Sequence, residues 1–384
     1  MLAIKNGNLV LPTGEIKSCD ILADGGRITE IGSGLRAESE IDASGAYVLP
    51  GLIDLHTHGM CFESAWLGSL NKWAQNAASK GVTTFYPTYF DSPEMIAGQI
   101  ARHLAETDDL KSVPQVQGFR LESPYLSSIA GGPQGSIVPI RPETTNRILE
   151  AGRGFINIWD ISPELPGAAE AIRKLTEAGI VCSIAHTSCS IEEARAAVDA
   201  GAALVTHLYD TFHLPEENPL AIYPAGLVDY LLVEDRVKCE IIADGMHVDP
   251  LLVEKAFRCK GPDGVVFVTD SNVGAGLPAG RYALPGDWGE AIVKGSNDGV
   301  WTQNGGMLSG SALTALDSFR NAIRMFGRTM HQASKLWSAN PARLMGLNKG
   351  EIAVGKDADF TILDENLELL YTITAGRVLY TRTA

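Results

Sequence analysis

The sequence Asp54-Leu55-His56-Thr57-His58 follows directly on an apolar run, Tyr47-Val48-Leu49-Pro50-Gly51-Leu52-Ile53. Because side chains alternate across a β-strand, two histidines two positions apart leave the same face of a strand. Two imidazoles that converge at a strand end resemble half of a metal site. Such a pair is weak evidence by itself, so the metal hypothesis depends on what the other strand ends carry.

Further nitrogen and carboxylate groups follow other strand-like runs. His186, His207 and Asp270 each come after a short stretch of apolar and β-branched residues, and Glu122 ends another just before a proline. Of the eight histidines, five end or closely follow predicted strands: His56, His58, His186, His207 and His247. This repetition favours ligands gathered at one end of several parallel strands over histidines scattered through a core.

Strand-like runs alternate with amphipathic helical stretches through most of the chain. The predicted strands are 47–55, 82–89, 115–122, 154–160, 180–186, 203–208, 237–243 and 264–270. Two of the intervening helices are expected to end at Gly179 and Gly201, since glycine commonly follows a helix C-terminus. Eight βα units over roughly 300 residues predict an α/β fold of the (β/α)8 TIM-barrel type, with its active site at the C-terminal strand ends.

The two ends of the chain have a different pattern. Short alternating runs between turns in residues 1–48 and 350–384 predict one small β-sandwich built from both ends, with residues 49–349 forming the catalytic barrel. The glycine-rich segment 276–308 is too long for an ordinary βα loop, so we expect a hairpin near the site.

Composition narrows the class of protein. With a net charge of −15, the 384-residue chain lacks the clustered cations that nucleic acids require. No apolar run approaches the roughly 18 residues of a membrane span, and the N-terminus has no basic stretch leading into an apolar one. The six cysteines form no CxxC motif, which suits reduced thiols. We expect a cytoplasmic protein that acts on a small molecule, without a nucleic-acid or membrane partner.

The residue types suggest roles. Neutral imidazoles and ionised carboxylates suit a divalent transition metal, with Zn²⁺ favoured and Fe²⁺ an alternative. Glu122, His186 and His207 are candidate ligands; for Glu122 the alternatives are a helix cap or a salt bridge to Arg120. Asp270 is a candidate ligand and the best candidate catalytic base. The alternative for Asp270 is a turn aspartate.

Other polar and aromatic residues could contact the substrate. His247 is interpreted as a substrate contact, with a structural role as the alternative. Six aromatic residues lie near predicted strand ends and could line a pocket, although single aromatic residues more often pack in the core: Tyr86, Tyr89, Phe90, Tyr125, Tyr209 and Phe212. His213 fits a substrate contact and a solvated loop equally well.

Together these segments resemble the amidohydrolase superfamily and, within it, the N-acetylglucosamine-6-phosphate deacetylase family. The motifs run in order through nearly the whole chain: 50–59, 121–126, 162–164, 185–187, 206–208, 242–248, 268–270, 308–314 and 340–343 with 350–359. The resemblance implies that Glu122, His186 and His207 bind a main metal ion and that His56 and His58 bind a second. It also implies that Asp270 is the acid/base and His247 a substrate contact. We also expect a homodimer.

The segments that would recognise the substrate depart from that family. Its usual Leu-Phe-Asn-Ala-Met is Leu208-Tyr209-Asp210-Thr211-Phe212 here, so Asp210 becomes a candidate substrate contact. Residues 131–137 and 223–226 lack the family's histidine and arginine. Since phosphate favours an arginine fork, we predict weak activity on the phosphosugar and a preference for a less charged N-acyl compound. An arginine from a second subunit (Arg102, Arg141 or Arg153) would reverse that prediction.

The predicted function is therefore a metal-dependent amidohydrolase that removes a small acyl group, most simply acetyl, from an N-acetyl amino sugar or related compound. Alternatives are hydrolysis of N-acyl amino acids or of a cyclic amide. A catalytically silent barrel scaffold is a third reading. The presence of every candidate ligand and of Asp270 argues against the scaffold.

Overall fold

The computed structural model describes residues 1–129, 132–133, 135–212, 222, 224–284, 289–302 and 307–383. Predictions made for His213 and Tyr223 therefore fall outside the described residues. No helix in these ranges is both long and apolar enough to cross a membrane.

The strands in chain order are β1 (Leu2–Val10), β2 (Ile16–Asp24), β3 (Arg27–Gly32), β4 (Ser39–Asp42), β5 (Tyr47–Pro50), β6 (Leu52–Thr57), β7 (Gly59–Met60), β8 (Glu63–Ser64), β9 (Val82–Tyr89), β10 (Phe119–Tyr125), β11 (Ile156–Ile161), β12 (Val181–Ile184), β13 (Leu204–Val205), β14 (Lys238–Ile242), β15 (Val265–Val268), β16 (Gly280–Ala283), β17 (Glu290–Val293), β18 (Val300–Thr302), β19 (Met307–Leu308), β20 (Phe360–Leu363), β21 (Leu369–Thr374) and β22 (Arg377–Thr381).

The helices are α1 (Leu70–Ala78), α2 (Pro93–Glu106), α3 (Pro142–Gly152), α4 (Ala168–Glu177), α5 (Ile191–Asp199), α6 (Leu227–Val233), α7 (Pro250–Lys260), α8 (Ala315–Arg324), α9 (Met330–Ser334) and α10 (Asn340–Leu344), with a π-helical turn over Lys335–Ala339. Gly179 and Gly201 follow α4 and α5 with φ of 84° and 115°. Both predicted helix ends are confirmed, because a residue without a Cβ adopts this left-handed backbone at little cost.

Within the described residues, eight parallel strands form a barrel in the order β6, β9, β10, β11, β12, β13, β14, β15. The first and last strands meet at their C-terminal ends, where Asp270 N donates to His56 O at 2.8 Å and His58 N donates to Ser271 O at 2.8 Å. The predicted (β/α)8 fold is confirmed. The same closing hydrogen bonds bring the paired histidines beside Asp270.

Both chain ends form one largely antiparallel sheet, as predicted, in the order β22, β21, β20, β5, β1, β2, β3, with β4 also paired to β1. The predicted strand 47–55 is in fact two strands. Its first half, β5, pairs with β1 and β20 in this sheet, and its second half, β6, enters the barrel. At the junction a Cβ on Gly51 would overlap the side chain of Thr83, so glycine is needed for the close approach.

The insertion predicted as a hairpin is a four-stranded antiparallel sheet, β16 to β19. Its chain returns to the barrel mouth, where Leu308, Ser309 and Gly310 line the central cavity. Residues 285–288 and 303–306 of this insertion lie outside the described ranges. The described part of the insertion therefore lies near the site, as predicted.

Candidate active site

Six side chains from the ends of five barrel strands meet at the C-terminal mouth of the barrel, with Glu122 at the centre. Its Oε1 lies 2.8 Å from His186 Nε2 and 3.2 Å from His207 Nε2. Its Oε2 lies 2.9 Å from His58 Nε2 and 3.5 Å from His56 Nε2. The structure thus brings the two histidines of β6 together with the three ligands predicted from later strands.

Asp270 completes this cluster from the last barrel strand. Its Oδ1 lies 3.3 Å from His56 Nε2 and 3.2 Å from His58 Nε2. Asp270 is 6% exposed and also lines the cavity, so its carboxylate is sheltered yet accessible from the mouth. This is the position expected of an acid/base residue that works beside a metal.

The backbone turns sharply at three of these residues. His186, His207 and Asp270 have φ of 44°, 25° and 46°. A left-handed backbone is uncommon for residues other than glycine and is found disproportionately at functional sites. Each turn directs a side chain across the barrel mouth instead of along the strand.

Backbone carbonyls orient two of the imidazoles. His58 Nδ1 lies 3.1 Å from Thr88 O, and His186 Nδ1 lies 3.1 Å from Ser128 O. Since a carbonyl only accepts hydrogen bonds, Nδ1 is the donor in both rings, which leaves Nε2 facing Glu122. Metal-binding histidines are commonly fixed in this manner.

The cluster is electrostatically short of positive charge. Burial would raise the pKa of Asp270, but the charge of His56 and a hydrogen bond from His58 lower it to about 2. Burial would also raise the pKa of Glu122, but His56 and His58 hold it well below its usual range. Burial would lower the pKa of His58, but the neighbouring carboxylates raise it to about 10. Protonated imidazoles therefore provide the positive charge that balances the buried carboxylates.

A divalent cation can supply the same charge, and the donor set fits one. Glu122 Oε2 is buried and has no aligned hydrogen-bond donor among the described residues. Donor atoms within 4.8 Å of one another form overlapping groups: His56, His58 and Glu122; Glu122, His186 and His207; His207, Asp210 and Asp270. The first two groups share Glu122, so they suit one ion or two ions bridged by that carboxylate.

Below the cluster, a buried charge network fills the barrel. Arg120 donates from Nη2 to Asp160 at 3.0 Å and from Nη1 to Leu55 O at 3.1 Å, and it also bonds Glu240. Glu240 Oε2 lies 3.6 Å from His56 Nδ1. The pairing of Glu122 with Arg120, kept open above, is not found, because Arg120 is engaged by two other carboxylates.

This network was missed in the sequence, although two signals were present. Arg120 lies two positions before Glu122, which places both on the same face of β10. Glu240 interrupts an otherwise apolar strand, Cys239-Glu240-Ile241-Ile242. A charged residue inside a buried strand needs a partner, so the two form a natural pair.

We expect Arg120→Met to lower the free energy of unfolding by about 3 to 5 kcal/mol, the range for breaking a buried ion pair. The change leaves Asp160 and Glu240 buried without their cation. Chemical denaturation of the metal-free protein measures it. Arg236→Met, which removes an exposed arginine paired with Asp199, is the control and should have a much smaller effect. Equal losses in the two variants would contradict the role of the network.

A cavity of about 210 Å³ opens above the candidate metal ligands. Its described lining includes His58, Trp66, Phe90, Glu122, Gly132, Pro133, His186, His207, Asp210, Thr211, His247, Asp270, Asn272, Leu308, Ser309 and Gly310. His247 belongs to this wall, and its Nδ1 lies 2.5 Å from Asp244 Oδ2. Because that bond occupies Nδ1, Nε2 is the ring atom left for a substrate.

Of the six aromatic candidates, Phe90 is the one found on the described part of this wall. Tyr86 and Tyr89 are buried in the core. Tyr125 is fully buried, stacks on Trp159 at 5.4 Å and bonds Thr145 through its hydroxyl at 2.7 Å. Tyr209 donates to a backbone carbonyl of α7 and packs, like Phe212, against the main core. The structure therefore gives Tyr125, Tyr209 and Phe212 packing positions, whereas Phe90 lines the cavity as predicted, together with Trp66.

Comparison with known proteins agrees with this architecture. The amidohydrolase family matches residues 47–379. N-acetylglucosamine-6-phosphate deacetylase of Lysinibacillus sphaericus is 31% identical over 98% of this chain and 97% of its own. N-acetylgalactosamine-6-phosphate deacetylase of Escherichia coli O157:H7 is 29% identical over 83% of this chain and 84% of its own.

A solved structure has the same fold over the full length. The crystal structure of N-acetyl-D-glucosamine-6-phosphate deacetylase from Mycobacterium smegmatis superimposes with a TM-score of 0.86 at 26% identity, covering 99% of this chain and 100% of that one. As the sequence motifs predicted, the chain belongs to the amidohydrolase family and, within it, to the family of the N-acetylglucosamine-6-phosphate deacetylases.

Proposed function

We propose that the protein is a metal-dependent amidohydrolase that removes the acetyl group from an N-acetylated amino sugar. The observation that carries the proposal is the buried Glu122-centred cluster, with Asp270 beside it and a cavity above. The curated relatives that cover nearly the whole chain are named as deacetylases of N-acetyl amino sugar phosphates. A silent scaffold would have no need to keep charged ligands buried at such a cost.

The residues divide the reaction between them. A divalent cation held by Glu122 and the four histidines would polarise the amide carbonyl and lower the pKa of the attacking water. Asp270, ionised at neutral pH, accepts the proton from that water and then gives it to the departing nitrogen. His247, held by Asp244, is placed to donate a hydrogen bond to the substrate through Nε2 when that atom carries a proton.

Zn²⁺ is the metal we propose, because imidazole and carboxylate in a small, closed set are ligands it commonly takes in catalytic sites. Fe²⁺ stays an alternative that the same ligands accept. The homodimer and the cytoplasmic location stay predictions from the sequence.

We expect the protein loaded with Zn²⁺ to release acetate from N-acetyl amino sugars, and to lose this activity when a chelator removes the metal. Returning Zn²⁺ should restore it, since the ligands are supplied by a rigid barrel. Acetate release is measured for sugars and, in parallel, for N-acyl amino acids. Faster hydrolysis of the amino acids would overturn the proposed substrate class. Full activity after complete removal of the metal would overturn the metal-dependent mechanism.

A further inference from the structure

The wall of the cavity carries a carboxylate that the reaction does not use. Asp210 lies just after β13, in a turn where its N–H donates to His207 O at 3.0 Å. Tyr209 and Thr211 on either side have φ of 82° and 60°. A strained position on each side of Asp210 indicates that the direction of its side chain is imposed by the fold.

Among the described residues, the carboxylate of Asp210 has no side-chain partner and is open to the cavity. It is half-buried, lines the cavity, and accepts no hydrogen bond from a side chain of the described residues. One of its oxygens lies within 4.8 Å of ligand atoms of both His207 and Asp270. The neighbouring Thr211 Oγ1 is buried and also lacks a partner among the described residues. Two unsatisfied oxygens thus face the space that the substrate would fill.

The charge around this space has one sign. The described lining contains three carboxylates, Glu122, Asp210 and Asp270, and neither lysine nor arginine. Apart from imidazole, the described lining therefore offers no cation to an anionic substituent.

The opposite part of the wall is apolar and aromatic. Phe90 stands at 88° to the ring of His186, with centroids 5.7 Å apart, and Trp66, Pro133 and Leu308 line the same cavity. Aromatic faces pack on the C–H face of a sugar ring, and a carboxylate accepts hydrogen bonds from its hydroxyl groups. This combination suits a neutral, polyhydroxylated ring.

Resting on the proposed function, we propose that Asp210 is a specificity residue that selects an unphosphorylated N-acetyl amino sugar. Its carboxylate accepts a hydrogen bond from a substrate hydroxyl, and its charge repels a phosphate. The relatives described above are named for phosphorylated substrates, so this site differs from theirs in the charge it accepts.

The test compares kcat/KM for N-acetylglucosamine and for its 6-phosphate, using protein loaded with Zn²⁺. We expect the unphosphorylated sugar to be preferred by about tenfold or more, and Asp210→Asn to reduce that ratio by about tenfold, since the amide keeps the shape but not the charge. Asp199→Asn removes an equal charge from the exposed end of α5 and is the control; it should leave the ratio unchanged.

Two outcomes would overturn the inference, and a third would overturn the proposed function. Preference of the unaltered protein for the 6-phosphate would show that a cation from elsewhere, such as a second copy of the chain, reads the phosphate. An equal effect of Asp210→Asn on both sugars would show a positioning role without selection. Hydrolysis of neither sugar by the metal-loaded protein would instead overturn the proposed function on which the inference rests.

Discussion

Asp270→Asn lowers kcat by about 10²- to 10⁴-fold, the usual contribution of a general acid/base. The amide is nearly isosteric with the carboxylate but cannot accept the proton. His56 and His58 contact Asp270 at 3.3 and 3.2 Å, and both also contact Glu122. Because the contacts with Glu122 do not depend on Asp270, the fold and most of the metal should be retained. Steady-state kinetics with an N-acetyl amino sugar, together with metal analysis of the same preparation, measure both effects.

The control for Asp270→Asn is Asp199→Asn, which makes the same chemical change at an exposed position. It should leave kcat unaltered. A kcat of the Asp270 variant within a few-fold of the parent would mean that another group carries the proton. His247 is then the candidate, because it lies on the same cavity wall and is polarised by Asp244.

Much of this site follows from one regularity of the sequence. In a parallel barrel the C-terminal strand ends meet at one mouth, so polar residues that end several apolar runs must come together. His56, His58, Glu122, His186 and Asp270 are brought within a few ångströms by that rule alone. The rule requires only that the eight strands be recognised in the sequence. Their apolar runs are clear enough for this recognition.

The alternation of side chains along a strand also predicts the positions of Tyr125 and Arg120. Tyr125 lies three positions after Glu122, so alternation along β10 places it on the opposite face, toward Thr145 of α3. Arg120, two positions before Glu122, shares the inward face and was available to the same argument. Counting positions along β10 from Glu122 predicts that Tyr125 packs in the core and that Arg120 faces the barrel interior.

Other features depend on contacts that local patterns do not encode. The run 47–53 is apolar throughout, so nothing in its periodicity marks the change from the end sheet to the barrel at Gly51. The change is set by β20, which lies more than 300 residues away in the chain and pairs with β5. Trp66 reaches the cavity from a loop, where side-chain direction follows from tertiary packing and not from a period.

The double change His186→Ala and His207→Ala removes both imidazoles that contact Glu122 Oε1. We expect metal content to fall from about one to two equivalents, the range for these ligand groups, by at least one equivalent, and deacetylation to become undetectable. Loss of two ligands from one ion leaves Glu122 as its remaining strong donor, which is too few for a stable site. Elemental analysis of gently purified protein gives the stoichiometry.

Two comparisons make the metal result specific. His331→Ala removes a half-buried histidine at the edge of the molecule that belongs to no ligand group, and it should keep the full metal content. The pair His56→Ala and His58→Ala removes the other group and should cost one equivalent only if two ions are bound. Since an ion that binds the folded protein adds its binding free energy to the stability of the fold, the metal-free protein should also unfold more easily than the loaded one. Metal content that is unchanged when His186 and His207 are both lost would place the ion elsewhere and remove the basis of the proposed chemistry.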